Sequence, residues 1–171
     1  LLLAGVIFVL EKPFDRTESD VITEKKPLFE NIKQDQIEKI TINAKGKDIL
    51  LSKRNNKWAV RDQDKWYTAD AKAMENVISR LEEMKIDEVV AQNPENWALF
   101  EVDEQGVIVK VFKNKGSQTP DAHFYVGKSG PDYFSTYIRV EGQDRVLQVA
   151  EYLKSYFDRT IKMWKDRTLI R

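Results

Sequence analysis

Hydrophobic and polar positions change rhythm several times along the chain, and each rhythm predicts a different element. Residues 1–10 read LLLAGVIFVL, apolar throughout apart from Gly5 and uncharged, and Glu11-Lys12-Pro13 follows at once. Ten residues of helix rise only ~15 Å, about half the hydrocarbon thickness of a bilayer. Three readings compete for this run. A buried core element would explain the missing polar face. A cleaved signal peptide lacks its small-x-small cleavage pattern. The third reading, the distal half of an uncleaved membrane-spanning helix, is adopted here as the expectation, with Leu1, Leu2, Leu3, Val6, Ile7, Phe8, Val9 and Leu10 as anchor residues. Leu3-Ala4-Gly5 is similar to the approach to a lipoprotein cleavage site, but Val6 stands where the lipidated cysteine belongs.

Residues 13–35 are polar, carry Pro13 and Pro27 and show no sustained period, so they read as a linker. Strand rhythm begins with Ile37, Ile40 and Ile42, turns at Ala44-Lys45-Gly46-Lys47 and resumes over 48–52. Asn55-Asn56 suits a tight hairpin, because asparagine tolerates positive φ. The return segment 57–61 alternates, with Trp58 and Val60 on one face. Met74, Val77, Ile78, Leu81 and Met84 then recur at spacings of three and four, which predicts an amphipathic helix packed on a sheet. Asp70, or Thr68 before it, can cap its first amides. Strands are expected over 86–91, 107–112, 122–126, 135–140 and 145–150, a short helical turn with Trp97, Leu99 and Phe100 after Asn93-Pro94, and helical spacing over 152–164. Many short strands joined by turns, with few helices, indicate an α+β domain over 36–171 with a mainly antiparallel sheet, one main packed helix and a C-terminal helical segment. The anchor (1–12) and linker (13–35) precede it.

Composition narrows the function. Lysine and arginine number 28 and aspartate and glutamate 28, interleaved along the chain, so no global field attracts nucleic acid. The absence of cysteine excludes disulfide frameworks, thiolate metal sites and cysteine nucleophiles. The single histidine, His123, lies in a strand with Asp121 and Tyr125 on its face, and no HxH, HxxxH or HExxH spacing accompanies it. Gly127-Lys128-Ser129-Gly130 has the final residues of a phosphate loop without its first glycine, and reads as a plain β-turn. The acidic pairs Glu82-Glu83, Asp87-Glu88 and Asp103-Glu104 read as solvated surface, because glycosidase chemistry needs two carboxylates facing a cleft. Asp62, Asp64 and Asp70 match no calcium-loop spacing. No catalytic, metal or cofactor residue is expected.

The aromatic content is higher than such a polar chain needs. Trp58, Trp66, Trp97 and Trp164 are read mostly as core, while tryptophan and tyrosine also concentrate binding energy at interfaces. The segment 130–134 reads as a loop with exposed aromatics, making Tyr133 and Phe134, with Trp97 and Phe100, the candidate partner contacts.

Several scattered segments together resemble the DUF4340 family of bacterial membrane-anchored domains. They are the apolar start through EKPF, IEKITI, KWAVR after the hairpin, YTADAKAMENVISRLEEMK, HFYVGK, STYIRVEGQDRVLQV and the terminal WKDRTLI. The chain departs from the family at Leu99-Phe100-Glu101-Val102, where members tend to show Gly-Leu followed by Pro. The resemblance implies a domain on the extracytoplasmic, periplasmic or lumenal, side of a membrane. It also implies an accessory role beside integral membrane proteins, ABC-type transporter components among them. The expected function is thus a non-catalytic subunit that docks on a membrane complex, the alternative being a domain that binds a glycan, lipid or peptide for such a transporter.

Overall fold

A computed structural model of the chain describes residues 27–167. The expected anchor, Leu1 to Leu10, lies outside the described residues. Among the described residues no helix is long and apolar enough to cross a membrane.

The described chain is α+β and every strand pairing is antiparallel. Strands β1 (Lys39–Ala44), β2 (Lys47–Arg54), β3 (Lys57–Asp62) and β4 (Lys65–Thr68) form one meander. Strands β6 (Val107–Phe112), β7 (Ala122–Ser129), β8 (Thr136–Val140) and β9 (Val146–Val149) form a second. The two meet through β1 and β6, and β5 (Ile86–Ala91) adds to the outside of β9, giving the order β4-β3-β2-β1-β6-β7-β8-β9-β5. Helix α1 (Ala71–Glu83) therefore carries the chain from one edge of the sheet to the other.

Side chains alternate between the two sheet faces. Ile40, Ile42, Leu51, Val60, Val109, Val111, Phe124, Val126, Ile138 and Leu147 are buried on the inner face. On that face lies α1, whose Met74, Val77, Ile78 and Leu81, with Met84 just beyond, are all buried, so the expected stripe is the packed one. The Asp70 carboxylate accepts from the Ala73 amide and caps the helix. Two short helices, α3 (Lys154–Phe157) and α4 (Ile161–Trp164), take the place of the C-terminal helical segment. Phe157 meets the ring of Phe124 edge-on, with centroids 5.7 Å apart, and Trp164 is fully buried.

Three local readings change. Residues 27–35, expected as linker, pack against the domain: Ile32 is buried, Phe29 lies 5.1 Å from Phe124, and the Leu28 amide donates to Met84 O. Two or three apolar residues in a polar stretch carry no period, so the pattern missed them. Gly127-Lys128-Ser129 is not a turn but the end of β7, with a register irregularity between Val126 and Ser129. Strand β4 follows a turn at Gln63, whose φ is +53°. The hairpin at Asn55 and Asn56 is as expected, both residues having positive φ.

Candidate docking surface and outer-face cleft

The outer face of β6–β8 carries the polar chemistry. Strand register sets Lys110 opposite His123, and Ile108, Tyr125 and Arg139 in one row across three strands. Over this row runs the segment between β5 and β6, which contains a short helix α2 (Trp97–Phe100). Its approach is close because β7 has no side chain at Gly127; a Cβ there would collide with Phe100 O and the Val102 side chain. Glu101 ends α2 in the left-handed region, at φ +56°.

Arg139 is the residue this segment closes upon. Its guanidinium carbon lies 3.8 Å from the Trp97 ring centre and 4.0 Å from that of Tyr125, a cation between two aromatic faces. Nε donates to Val102 O at 2.9 Å, and Nη1 lies 3.5 Å from Glu141 Oε2. The side chain is only 4% exposed, so these partners stand in for its lost hydration. Trp97 Nε1 in turn donates to Asp144 O at 3.0 Å. A cleft of about 450 Å³ opens beside the stack, lined by Trp97, Tyr125 and Arg139 and rimmed by Asp103, Glu104 and Glu141.

The titratable groups of the cleft respond to one another. A hydrogen bond from the Tyr125 hydroxyl holds the Glu141 carboxyl below its ordinary range. Burial, and then the bond to Glu141, raises Tyr125 above the usual phenol value. His123 stacks on Tyr125 at 5.4 Å, and burial, reinforced by Lys110, pushes its imidazole below 6.5. Its Nε2 is buried without a hydrogen-bond partner among the described residues. The described residues bring together no group of three histidine, aspartate or glutamate side chains able to hold a metal ion. Asp62, one of the aspartates considered for calcium, is instead paired with Lys165.

The four candidate contacts divide. Trp97 stacks on Arg139, and Phe100 meets Tyr137 edge-on at 4.7 Å with Lys128 over its ring, so both are half-buried within the domain's own packing. Tyr133 and Phe134 are 80% and 77% exposed. They tip the turn between β7 and β8, which is tightly built. Asp132 Oδ1 accepts from the amides of Phe134 and Ser135 and from the Ser135 hydroxyl, at 3.1, 2.9 and 2.6 Å. These bonds hold the Asp132 carboxyl below its ordinary range. Gly130 and Ser135 close the turn with a backbone hydrogen bond.

Other exposed apolar side chains gather at the same end of β6–β9. Leu99, next to Phe100, is 61% exposed, and Tyr152 follows Glu151, whose carbonyl accepts from Thr136 at the start of β8. Pro27 reaches this end too: it bridges to Lys85, immediately before Ile86, which pairs with Val149 beside Thr136. Leu99 and Tyr152 escaped sequence reasoning because the β7–β8 turn, α2, the segment after β9 and Pro27 meet there only in the fold. Arg139 was missed because a charged residue in a strand reads as surface.

The model of a family described as a domain of unknown function, DUF4340, matches residues 7–92 and 60–171. The chain belongs to the DUF4340 family. The two matches overlap from the second half of β3 through β4, α1 and β5 and together run from residue 7 to residue 171. No curated protein and no solved structure matches this DUF4340 chain.

Proposed function

We propose that this DUF4340 chain is a non-catalytic accessory subunit of a membrane protein complex. An N-terminal apolar helix holds it to the membrane, and its domain, on the extracytoplasmic side, docks beside integral membrane proteins such as ABC-type transporter components. One observation carries this reading: Tyr133, Phe134, Leu99 and Tyr152 lie at the end of the sheet that the N-terminal segment joins at Pro27. A tether brings that end nearest whatever the tether is fixed in, and exposed apolar groups there meet a partner at high local concentration. The test is a gentle-detergent purification of the anchored protein with mass spectrometry of what accompanies it. Stoichiometric membrane proteins, lost when Leu99 is replaced by aspartate, are expected; a protein that purifies alone counts against the reading.

A second reading follows from the cleft beside Arg139. Its volume of about 450 Å³ suits a small ligand, and Trp97 with Tyr125 supplies aromatic lining. A protein that purifies alone but retains a glycan, lipid or peptide until Trp97→Ala releases it favours this alternative.

A further inference from the structure

We infer that the Tyr133–Phe134 turn contacts the lipid–water interface of the membrane itself, and so sets the orientation of the domain on the bilayer. The inference rests on the anchored reading above and assigns a partner to one part of that surface.

Three features lead to it. The first is position. Between Leu10 and Pro27 lie only residues 11–26, a length that reaches at most about 55 Å at full extension. The end of the domain that receives Pro27 is thereby kept close to the bilayer, and the β7–β8 turn projects from that same end. The second is size. Two aromatic side chains bury roughly 300–500 Å² between them, well short of the ~800 Å² per partner of a stable protein interface. A lipid interface sets no such minimum, because a tethered domain needs only a modest increment to fix its tilt.

The third feature is chemistry. A tyrosine beside a phenylalanine places a hydroxyl at headgroup level and a ring below it, the arrangement for which aromatic residues are enriched at membrane interfaces. The turn's own acid, Asp132, directs its Oδ1 inward to the amides of Phe134 and Ser135. Exposed Lys85 and half-exposed Lys128 flank this end and suit anionic headgroups. The turn is already ordered by its hydrogen bonds, so insertion costs little conformational entropy.

The absence of native cysteine makes the test direct. Tyr133→Cys, Phe134→Cys and, at the β2–β3 turn, Asn56→Cys are each labelled with an environment-sensitive fluorophore. The anchored protein is then reconstituted, without partners, into vesicles of phosphatidylethanolamine and phosphatidylglycerol carrying a lipid-borne quencher. Expected are a blue-shifted emission and several-fold stronger quenching at 133 and 134 than at 56. If the protein floats with the vesicles but 133 and 134 behave like 56, the inference is overturned while anchoring stands. If it does not float at all, the anchored reading fails and the inference with it. A shift that arises only when a co-purifying membrane protein is added assigns the turn to protein contact, and also overturns it.

Discussion

The two faces of the sheet at β7 solve the same packing problem with different chemistry. Inward, Phe124 and Val126 are completely buried, Phe124 against the rings of Phe29 and Phe157, in one apolar core with the α1 stripe. Outward, Tyr125 lies under a thin covering segment that closes on one cation, Arg139, with Trp97 bonded to Asp144 O and Glu101 paired with Lys154. The inner face derives its stability from area, which is tolerant of detail. The outer face depends on a few directed contacts, each of which fails when one atom is missing.

The sharpest way to break the comparison is to attack both faces by truncation. Phe124→Ala empties the centre of the inner core and is expected to cost about 3–5 kcal/mol in a denaturant titration. Arg139→Ala removes the filling of the aromatic sandwich and strands Val102 O. The expected loss is about 2–3 kcal/mol, from a charged hydrogen bond and two partly desolvated cation–π contacts. Arg139→Lys keeps the charge but not the planar stack and should recover only part of it. If Arg139→Ala matches the loss from Phe124→Ala, the outer layer is as much a core as the inner one and the contrast dissolves.

A smaller effect comes from pH. The folded-state value of His123 is depressed below 6.5, so the unfolded chain binds its proton more readily. Stability is therefore expected to fall as pH descends from about 6.5 toward the lower folded value, and to level off beneath it. His123→Gln removes that slope, as read from denaturation midpoints across the window. Glu141 acts in a separate, more acidic window. Its folded value is lowered, so its contribution is present above the ordinary 4.5 and is lost as pH falls through the folded value. The smallest effect is expected at the β7–β8 turn. Tyr133→Ser and Phe134→Ser should each leave stability within about 0.5 kcal/mol, as fits side chains that the domain does not use to fold. A loss of 2 kcal/mol or more at either position would place the turn in the fold.

Legibility in the sequence divides along the same line. Elements of the inner face were readable because burial there imposes a period: two residues along β1 and β6, three and four along α1. Strand β4 was not, since Trp66 is half-buried and Lys65, Tyr67 and Thr68 are exposed at a sheet edge, leaving no alternation to detect. The outer face left still less trace. Trp97, Tyr125 and Arg139 come from three elements, and nothing in STYIRV marks its arginine as buried. Of the candidate contacts, the exposure of Tyr133 and Phe134 was recognisable from the turn residues around them. Trp97 and Phe100 were not separable from them until the fold gave them partners.

Helix α1 is fastened at both of its ends by the two extremities of the described chain. At its start, Ala69 bridges to Lys165 and the Asp70 amide donates to Trp164 O; just past its end, Lys85 bridges to Pro27 and Met84 O accepts from Leu28. The helix therefore cannot be fully secured until Trp164 and Lys165 have left the ribosome. Once folded, a force applied at Pro27 enters the domain at the joint between α1 and β5. There the load divides between a helix packed on the inner face and an edge strand, instead of unzipping one hairpin after another.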